Sequence, residues 1–138
     1  MQTSADVFCL DSSALVKLVD QEPESEALAQ FLHLRPHQVS SALARVEVVR
    51  AARTRGPAAV AKARVLLDAL RLFALDEELL DSAAEVGSPG LRSLDAIHLA
   101  SALAMGRTLG ALVTYDRRMA AAARQLGLPV IAPGSPGN

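Results

Sequence analysis

The part of the sequence that most restricts the fold is residues 7–18, where an apolar run meets an acid and then a helical pattern. Residues 7–10 are four consecutive apolar side chains, as in a strand that is buried on both faces of a parallel sheet. Asp11 follows, and apolar residues then recur at helical spacing as far as Leu18. In open α/β sheets, ligands bind beyond the carboxyl ends of the strands. Asp11 therefore either holds a metal ion or caps the helix, and this stretch leaves both open.

Short apolar runs alternate with helical patterns along the rest of the chain, which indicates one α/β domain with a mainly parallel sheet. We predict strands at residues 38–40, 72–75, 111–114 and 129–131, a helix that opens at 21–26, and further helices at 42–55, 58–70, 77–86, 94–104 and 117–126. Gly106 and Gly110 are expected to break the helical pattern that begins at residue 94. We expect the domain to cover residues 1–132, with a disordered tail at 133–138.

The composition limits the kinds of partner that the chain can bind. At 138 residues the chain is long enough for one domain with a sizeable core. Its net charge of −1 gives no overall attraction for polyanions, so a nucleic acid would have to bind a local basic face. Aromatic residues make up only 3% of the chain, which argues against folds that stack single-stranded bases on aromatic platforms.

The single cysteine and the N-terminal sequence bear on the compartment. Cys9 lies in the first predicted strand, so we interpret it as a core residue of a protein in a reducing compartment. The N-terminus lacks the basic and apolar regions of a secretory signal. No apolar run approaches the ~20 residues that a membrane span needs. We therefore expect a cytoplasmic protein that does not associate with membranes.

Four acids lie against apolar surroundings, unlike the acids that begin solvated helices: Asp11, Glu47, Asp95 and Asp116. A buried carboxylate is costly unless it is paired or binds a metal ion. Sites made only of oxygen ligands favour Mg²⁺ or Mn²⁺ over zinc. If the four acids meet, they form a site for a divalent cation whose activated water can hydrolyse a phosphodiester.

Each of these acids also has a purely structural interpretation. Asp95 lies where a first-turn acid favours a helix N-terminus, and Asp116 can cap the helix that follows it. Glu47 can pair with Arg45 or Arg50 on its own predicted helix. Periodicity alone does not show whether the four acids converge.

The four acids lie in four sequence blocks: LDSSALVKL at 10–18, SALARVEVVR at 41–50, SLDAIHLASAL at 93–103 and LVTYDRRM at 112–119. In this order the blocks resemble the motifs of PIN-domain ribonucleases, specifically the VapC-type toxins of type II toxin–antitoxin pairs, over nearly the whole chain. The resemblance implies a three-layer α/β/α fold with a mainly parallel central sheet.

The resemblance also implies an active site and an activity. Asp11, Glu47, Asp95 and Asp116 match the family's acidic quartet. Of these, Asp11, Asp95 and Asp116 would be ligands of Mg²⁺, or alternatively Mn²⁺, and Glu47 would often act through water. The implied activity is a magnesium-dependent endoribonuclease that serves as a toxin and cleaves RNA with a metal-activated water.

Four further residues accompany the acids. By resemblance, Ser13 and Thr114 match small hydroxyl residues that hold the acids or the substrate. Arg92 precedes the Asp95 helix and is a candidate contact for an RNA phosphate or an antitoxin carboxylate. His98 lies one helical turn after Asp95, where the sequence allows a catalytic role but favours a packed histidine.

The implied partners are RNA, a second copy of the chain and a VapB-type antitoxin. The antitoxin's C-terminal segment would block the site, and its N-terminal domain would bind operator DNA, so the toxin meets that DNA only indirectly. One alternative is a catalytically silent PIN-like scaffold that binds a partner protein or RNA. Another is an aspartyl-phosphate phosphohydrolase, which needs a second aspartate where Ser13 stands.

Overall fold

A computed structural model of the chain describes residues 5–136, which contain a five-stranded sheet. The strands, in chain order, are β1 Val7–Leu10, β2 Gln38–Ser41, β3 Arg71–Phe73, β4 Leu109–Val113 and β5 Val130–Ile131. Their order across the sheet is β3-β2-β1-β4-β5, and every neighbouring pair is parallel. The predicted α/β class with a mainly parallel sheet is confirmed.

Helices cover both faces of this sheet. In chain order they are α1 Ser12–Val19, α2 Ser25–His33, α3 Ala44–Arg53, α4 Pro57–Ala69, α5 Glu77–Glu85, α6 Ser93–Leu103 and α7 Arg117–Gln125. Successive residues of a strand point to opposite faces. Leu10 packs with α1–α4 in one core, and Cys9 packs with α6 and α7 in the other, so the three-layer arrangement is confirmed. Within residues 5–136, no helix is long and apolar enough to cross a membrane.

The order of the strands reverses at β1. From β1 the chain continues outward through β2 to β3, and it then returns to the other side of β1 as β4. Open α/β sheets bind ligands in the crevice at such a switch point, beyond the carboxyl ends of the strands. The backbone N–H of Asp11 donates to the carbonyl of Val113 over 3.2 Å. Asp11 therefore leaves β1 directly beside the end of β4.

Gly110 lies inside β4, so the prediction that this glycine helps to end the preceding helix is wrong. Helix α6 already ends at Leu103, before a short 3-10 turn that begins at Gly106 with a φ of 57°. At Gly110 a Cβ atom would lie 2.6 Å from the carbonyl oxygen of Ala5 and 2.8 Å from Cζ of Phe8. Close packing within the sheet layer, and not a turn, requires glycine here.

The C-terminal tail was predicted to be disordered from residue 133. In the structure, residues 133–136 follow β5 as turns. The Tyr115 hydroxyl donates to the carbonyl of Pro133 over 2.7 Å, and the Ser135 N–H donates to the carbonyl of Ala132 over 2.9 Å. Residues 137 and 138 lie outside the described residues, and a domain boundary at 132 stays a prediction.

Candidate active site

Asp11 is buried at the carboxyl end of β1, with 3% of its surface exposed. Its Oδ1 caps α1 by accepting from the N–H of Ala14 over 3.0 Å, and it also accepts from the Ser13 hydroxyl over 2.6 Å. Its Oδ2 accepts from the hydroxyl of Thr114. Burial raises the pKa of Asp11 above its ordinary value, although these bonds and the neighbouring His98 act in the opposite direction. Asp11 thus caps the helix and also carries a costly buried charge.

The Ser13 and Thr114 hydroxyls also fix the backbone that follows β4. Ser13 Oγ accepts from the N–H of Tyr115 over 2.9 Å, and Thr114 Oγ1 accepts from the N–H of Asp116 over 3.1 Å. Each hydroxyl therefore donates to Asp11 and accepts from the chain that leads to Asp116. The two hydroxyls tie the ends of the two central strands together and set the position of both acids.

Glu47 reaches the same crevice from the first turn of α3. Its Oε1 accepts from the Ser12 hydroxyl and lies 2.7 Å from Nε2 of His98. Among the described residues Glu47 pairs with neither Arg45 nor Arg50, and Nη2 of Arg45 lies 3.5 Å from Oδ1 of Asp68 instead. Burial alone would raise the pKa of Glu47, but the hydrogen bonds from His98 and Ser12 hold it below its ordinary value. Glu47 is therefore an ionised acceptor near neutral pH.

Asp95 and Asp116 form the other side of the crevice. Asp95 lies in the first turn of α6, and Asp116 caps α7 by accepting from the N–H of Arg118 over 2.9 Å. Burial raises the pKa of Asp95, and the charge of Asp116 raises it further, whereas His98 and Arg92 oppose the shift. The two carboxylates are therefore close enough to repel each other.

His98 bonds one of the four acids and lies near two others. It is buried on α6, bonds Glu47, and is near enough to influence the pKa values of both Asp11 and Asp95. The structure thus places Asp11, Glu47, Asp95 and Asp116 near one another at the switch point, where the hydrogen bonds of Ser13 and Thr114 join Asp11 to the backbone of Asp116, and those of Ser12 and His98 join Glu47 to α1 and α6. The capping interpretations of Asp11 and Asp116 hold as well, because both residues cap a helix at the same time.

The chemistry of these donors determines which metal ion could bind. Among residues 5–136, no three His, Cys, Asp or Glu side chains are arranged to enclose a metal ion by themselves. Mg²⁺ typically takes one or two carboxylates and keeps several waters, so it does not need such an enclosure. A divalent cation would also relieve the repulsion between Asp95 and Asp116. The donor set therefore fits a hydrated ion with oxygen ligands, and does not fit a zinc site closed by protein ligands.

Two features of this site were not predicted from the sequence: the part played by Ser12 and the bond between His98 and Glu47. Ser12 was overlooked because hydroxyl residues at the start of a helix are commonly caps. His98 was favoured as a packed histidine, and it is indeed buried. Its place one turn after Asp95 was the available signal, because residues three apart share a helix face. Its contact with Glu47 joins positions 51 residues apart and had no signal in the local sequence.

The fold agrees with comparisons to known proteins. Residues 8–125 match the PIN domain, so the chain belongs to the PIN-domain family. Ribonuclease VapC46 of Mycobacterium tuberculosis is 52% identical to this chain over 124 residues, which cover 90% of this chain and 95% of that protein. Ribonucleases VapC35 and VapC47 of the same organism are 46% and 41% identical, each over 91% of this chain and 96% of the relative. Within the family, the chain groups with these VapC relatives.

Two solved structures share the fold at low sequence identity. VapC20 of Mycobacterium tuberculosis, described as a toxin that cleaves the sarcin–ricin loop, has a TM-score of 0.71 and 18% identity, over 91% of this chain and 99% of that one. PAE2754 from Pyrobaculum aerophilum has a TM-score of 0.61 and 21% identity, over 94% of this chain and 87% of that one. At these identities the likeness shows the fold alone.

Proposed function

We propose that this chain is a divalent-metal-dependent endoribonuclease that acts as the toxin of a toxin–antitoxin pair. The observation that carries the proposal is the hydrogen-bond network that holds Asp11, Glu47 and the backbone of Asp116 at the switch point, with Asp95 close enough to interact with Asp116. Sequence similarity also supports the proposal, because the chain is 52% identical to a protein named Ribonuclease VapC46. The proposed reaction is hydrolysis of an RNA phosphodiester.

Asp11, Asp95 and Asp116 are the proposed ligands of the ion, one or two of them directly and the rest through the waters that the ion keeps, because no three side chains of residues 5–136 are arranged to hold it by themselves. We take the ion to be Mg²⁺ or Mn²⁺ because every donor is an oxygen. When bound, the ion supplies an activated water and stabilises charge on the leaving oxygen. The protein's own part is to hold the carboxylates in place. Ser13 and Thr114 do this for Asp11, and their acceptor bonds fix the approach to Asp116.

Glu47 has a different part in the proposal because its pKa is low. Hydrogen bonds from Ser12 and His98 keep it ionised, so it accepts a hydrogen bond or a proton from water in the crevice. Its side chain is 24% exposed, which leaves it accessible to that water. Glu47 would thus orient the nucleophile without being a direct metal ligand.

Arg92 is the proposed phosphate contact at the mouth of the site. It is exposed, it lies at the N-terminal end of α6, and its charge lowers the pKa of Asp95. A guanidinium binds phosphate and carboxylate in the same bidentate manner. An antitoxin carboxylate would therefore compete with RNA for Arg92.

The proposed partners follow from the toxin assignment. A VapB-type antitoxin would insert a basic side chain, most simply an arginine, among the acids and exclude metal or substrate. Operator DNA would be bound only through that antitoxin. We also propose a homodimer in the cytoplasm.

We favour an enzyme over a catalytically silent scaffold because each acid of the quartet is present and oriented. Asp11 also caps α1, but a neutral asparagine or serine caps a helix equally well, so the cap does not require an acid whose burial opposes ionisation. A buried acid that is kept at such a cost favours a ligand that requires its charge.

Incubation of the purified protein with total RNA tests the proposal directly. We expect cleavage in Mg²⁺ or Mn²⁺, none in excess chelator, and loss of cleavage in Asp95→Asn, which should still fold cooperatively. The matched control is Asp81→Asn, which removes an exposed carboxylate from α5 and should leave cleavage intact. Absence of cleavage by the wild type, or equal cleavage by Asp95→Asn, would contradict the proposal.

A further inference from the structure

Side chains from two other helices meet at one oxygen atom of Glu47. Ser12 begins α1, Glu47 lies on α3 and His98 lies on α6. Oε1 of Glu47 accepts from the Ser12 hydroxyl and lies 2.7 Å from His98 Nε2, while Ser12 Oγ lies 3.2 Å from the same Nε2. Both bonds reach Oε1, and no residue from 5 to 136 bonds Oε2. The carboxylate is therefore held by one oxygen, and the other remains available.

The geometry determines which nitrogen of His98 carries a proton. An ionised carboxylate oxygen only accepts, so the Nε2 that lies 2.7 Å from it must be a donor. Nδ1 of His98 is buried and has no hydrogen-bond partner in the described part of the chain. The N–H at Nε2 is therefore used on Glu47.

Packing alone does not account for a histidine at this position. An apolar side chain would fill the same buried place on α6 without leaving a ring nitrogen unpaired. His98 is only 2% exposed, so it cannot touch an RNA substrate. Any contribution it makes to hydrolysis must act through the residue that it bonds, which is Glu47.

Ser12 connects Glu47 to the proposed metal ligands. It follows Asp11 in the chain, and Asp11 is itself held by the N-terminus of α1. A bond from Ser12 to Glu47 therefore fixes the separation between the two carboxylates. His98 completes the arrangement from the opposite side, since it lies on the same helix as Asp95.

We infer that Ser12 and His98 are positioning residues that hold Glu47 by Oε1 and present Oε2 to the reacting water. The inference deepens the proposed ribonuclease function and rests on it. Outer residues that orient a site in this way commonly contribute about 10- to 100-fold to activity. His98 is buried and the Ser12 hydroxyl is bonded to Glu47, so we expect removal of either to act on the chemical step, lowering kcat and leaving KM unchanged.

A measurement on the metal-free protein tests the geometry without any activity. Nitrogen-15 chemical shifts of the His98 imidazole report which ring nitrogen carries the proton. We expect a proton on Nε2, and a neutral ring protonated only on Nδ1 would overturn the inference.

A double-mutant cycle tests the role in catalysis. His98→Leu and Ser12→Ala should each lower kcat by about 10- to 100-fold in saturating Mg²⁺. On a Glu47→Gln background, neither should cause a further loss, because both act through Glu47. His98→Gln should restore most of the rate, since its amide can donate from the position of Nε2. Equal losses on both backgrounds would overturn the inference.

The matched control is Ser101→Ala, also on α6. Ser101 is fully buried like His98, but its hydroxyl donates to the carbonyl of Ile97 on its own helix. Its replacement should leave kcat unchanged, and melting temperatures check that each variant folds. If the wild type cleaves no RNA, the proposed function fails. If the wild type cleaves and the cycle is additive, only the positioning role fails.

Discussion

The Thr114 hydroxyl donates a hydrogen bond to Oδ2 of Asp11, and this bond joins the end of β4 to the end of β1 across 103 residues of sequence. Both side chains are almost fully buried. A carboxylate at this depth loses the stabilisation of water, and the Thr114, Ser13 and Ala14 donors compensate for only part of that loss. The Asp11 charge therefore lowers the stability of the metal-free fold, and this cost can be measured.

We predict that Asp11→Asn stabilises the metal-free protein. Asparagine keeps an oxygen to accept from Ser13 and Ala14, its amide can donate to the Thr114 oxygen once that hydroxyl turns, and it carries no charge, so the cost of burial falls. Stabilising replacements at such sites commonly raise the free energy of unfolding by about 0.5–2 kcal/mol. Urea unfolding in chelator measures the change, and a less stable variant would contradict the assignment of a costly charge.

The cost of burying the Asp11 carboxylate predicts that the stability of the fold depends on pH. Because the pKa of Asp11 is raised in the folded state, the folded protein binds more protons than the unfolded chain between the two pKa values. Stability from this group is therefore lost as pH rises from about 4 through the raised folded pKa. The stability difference between Asp11→Asn and wild type should widen across that window and then level off. A difference that is constant with pH would show that ionisation is not the cause.

A divalent metal ion should offset the destabilising charge of Asp11 by binding the folded state. Ligand at a hundredfold excess over Kd stabilises by about 2.7 kcal/mol, and the wild-type melting temperature should rise accordingly in Mg²⁺ or Mn²⁺. Asp95→Asn should reduce the rise, whereas Asp81→Asn on the exposed side of α5 should keep it. Equal shifts in all three proteins would place metal binding elsewhere.

Expression of the chain without an antitoxin should arrest cell growth. Asp11→Ala should remove the arrest, because it deletes a proposed metal ligand. Growth curves at matched protein levels provide the measurement. If wild type and Asp11→Ala were equally harmless, and neither cut cellular RNA in Mg²⁺, the scaffold interpretation would replace the toxin one.

Gly110→Ala should destabilise the fold without touching the acids. Its Cβ would meet the carbonyl oxygen of Ala5 at 2.6 Å, and overpacking of this kind costs about 1–3 kcal/mol. Gly90 is the matched control because a Cβ there meets nothing within 4 Å. Gly90→Ala should therefore be neutral or slightly stabilising. Thermal unfolding distinguishes the two, and equal effects would contradict the packing argument.

Much of the fold follows from local sequence. The apolar run at Val7–Leu10 predicted a central strand, and the strands and helices lie close to their predicted places. Gly110 was misassigned because a glycine that ends a helix and a glycine under an aromatic ring look alike in sequence. The contact with Phe8 that distinguishes them is tertiary.

The sequence by itself determined which residues are costly to bury and which local structure surrounds them. Asp11, Glu47, Asp95 and Asp116 could be singled out because an acid among apolar neighbours requires a partner, and that requirement can be read locally. Only the tertiary structure decided which partner each acid has. The reversal of strand order at β1 brings the ends of β1 and β4 together, and it brings α3 and α6 to the same crevice. Hydrogen bonds act over about 3 Å, so they depend on this folded proximity and not on spacing along the chain.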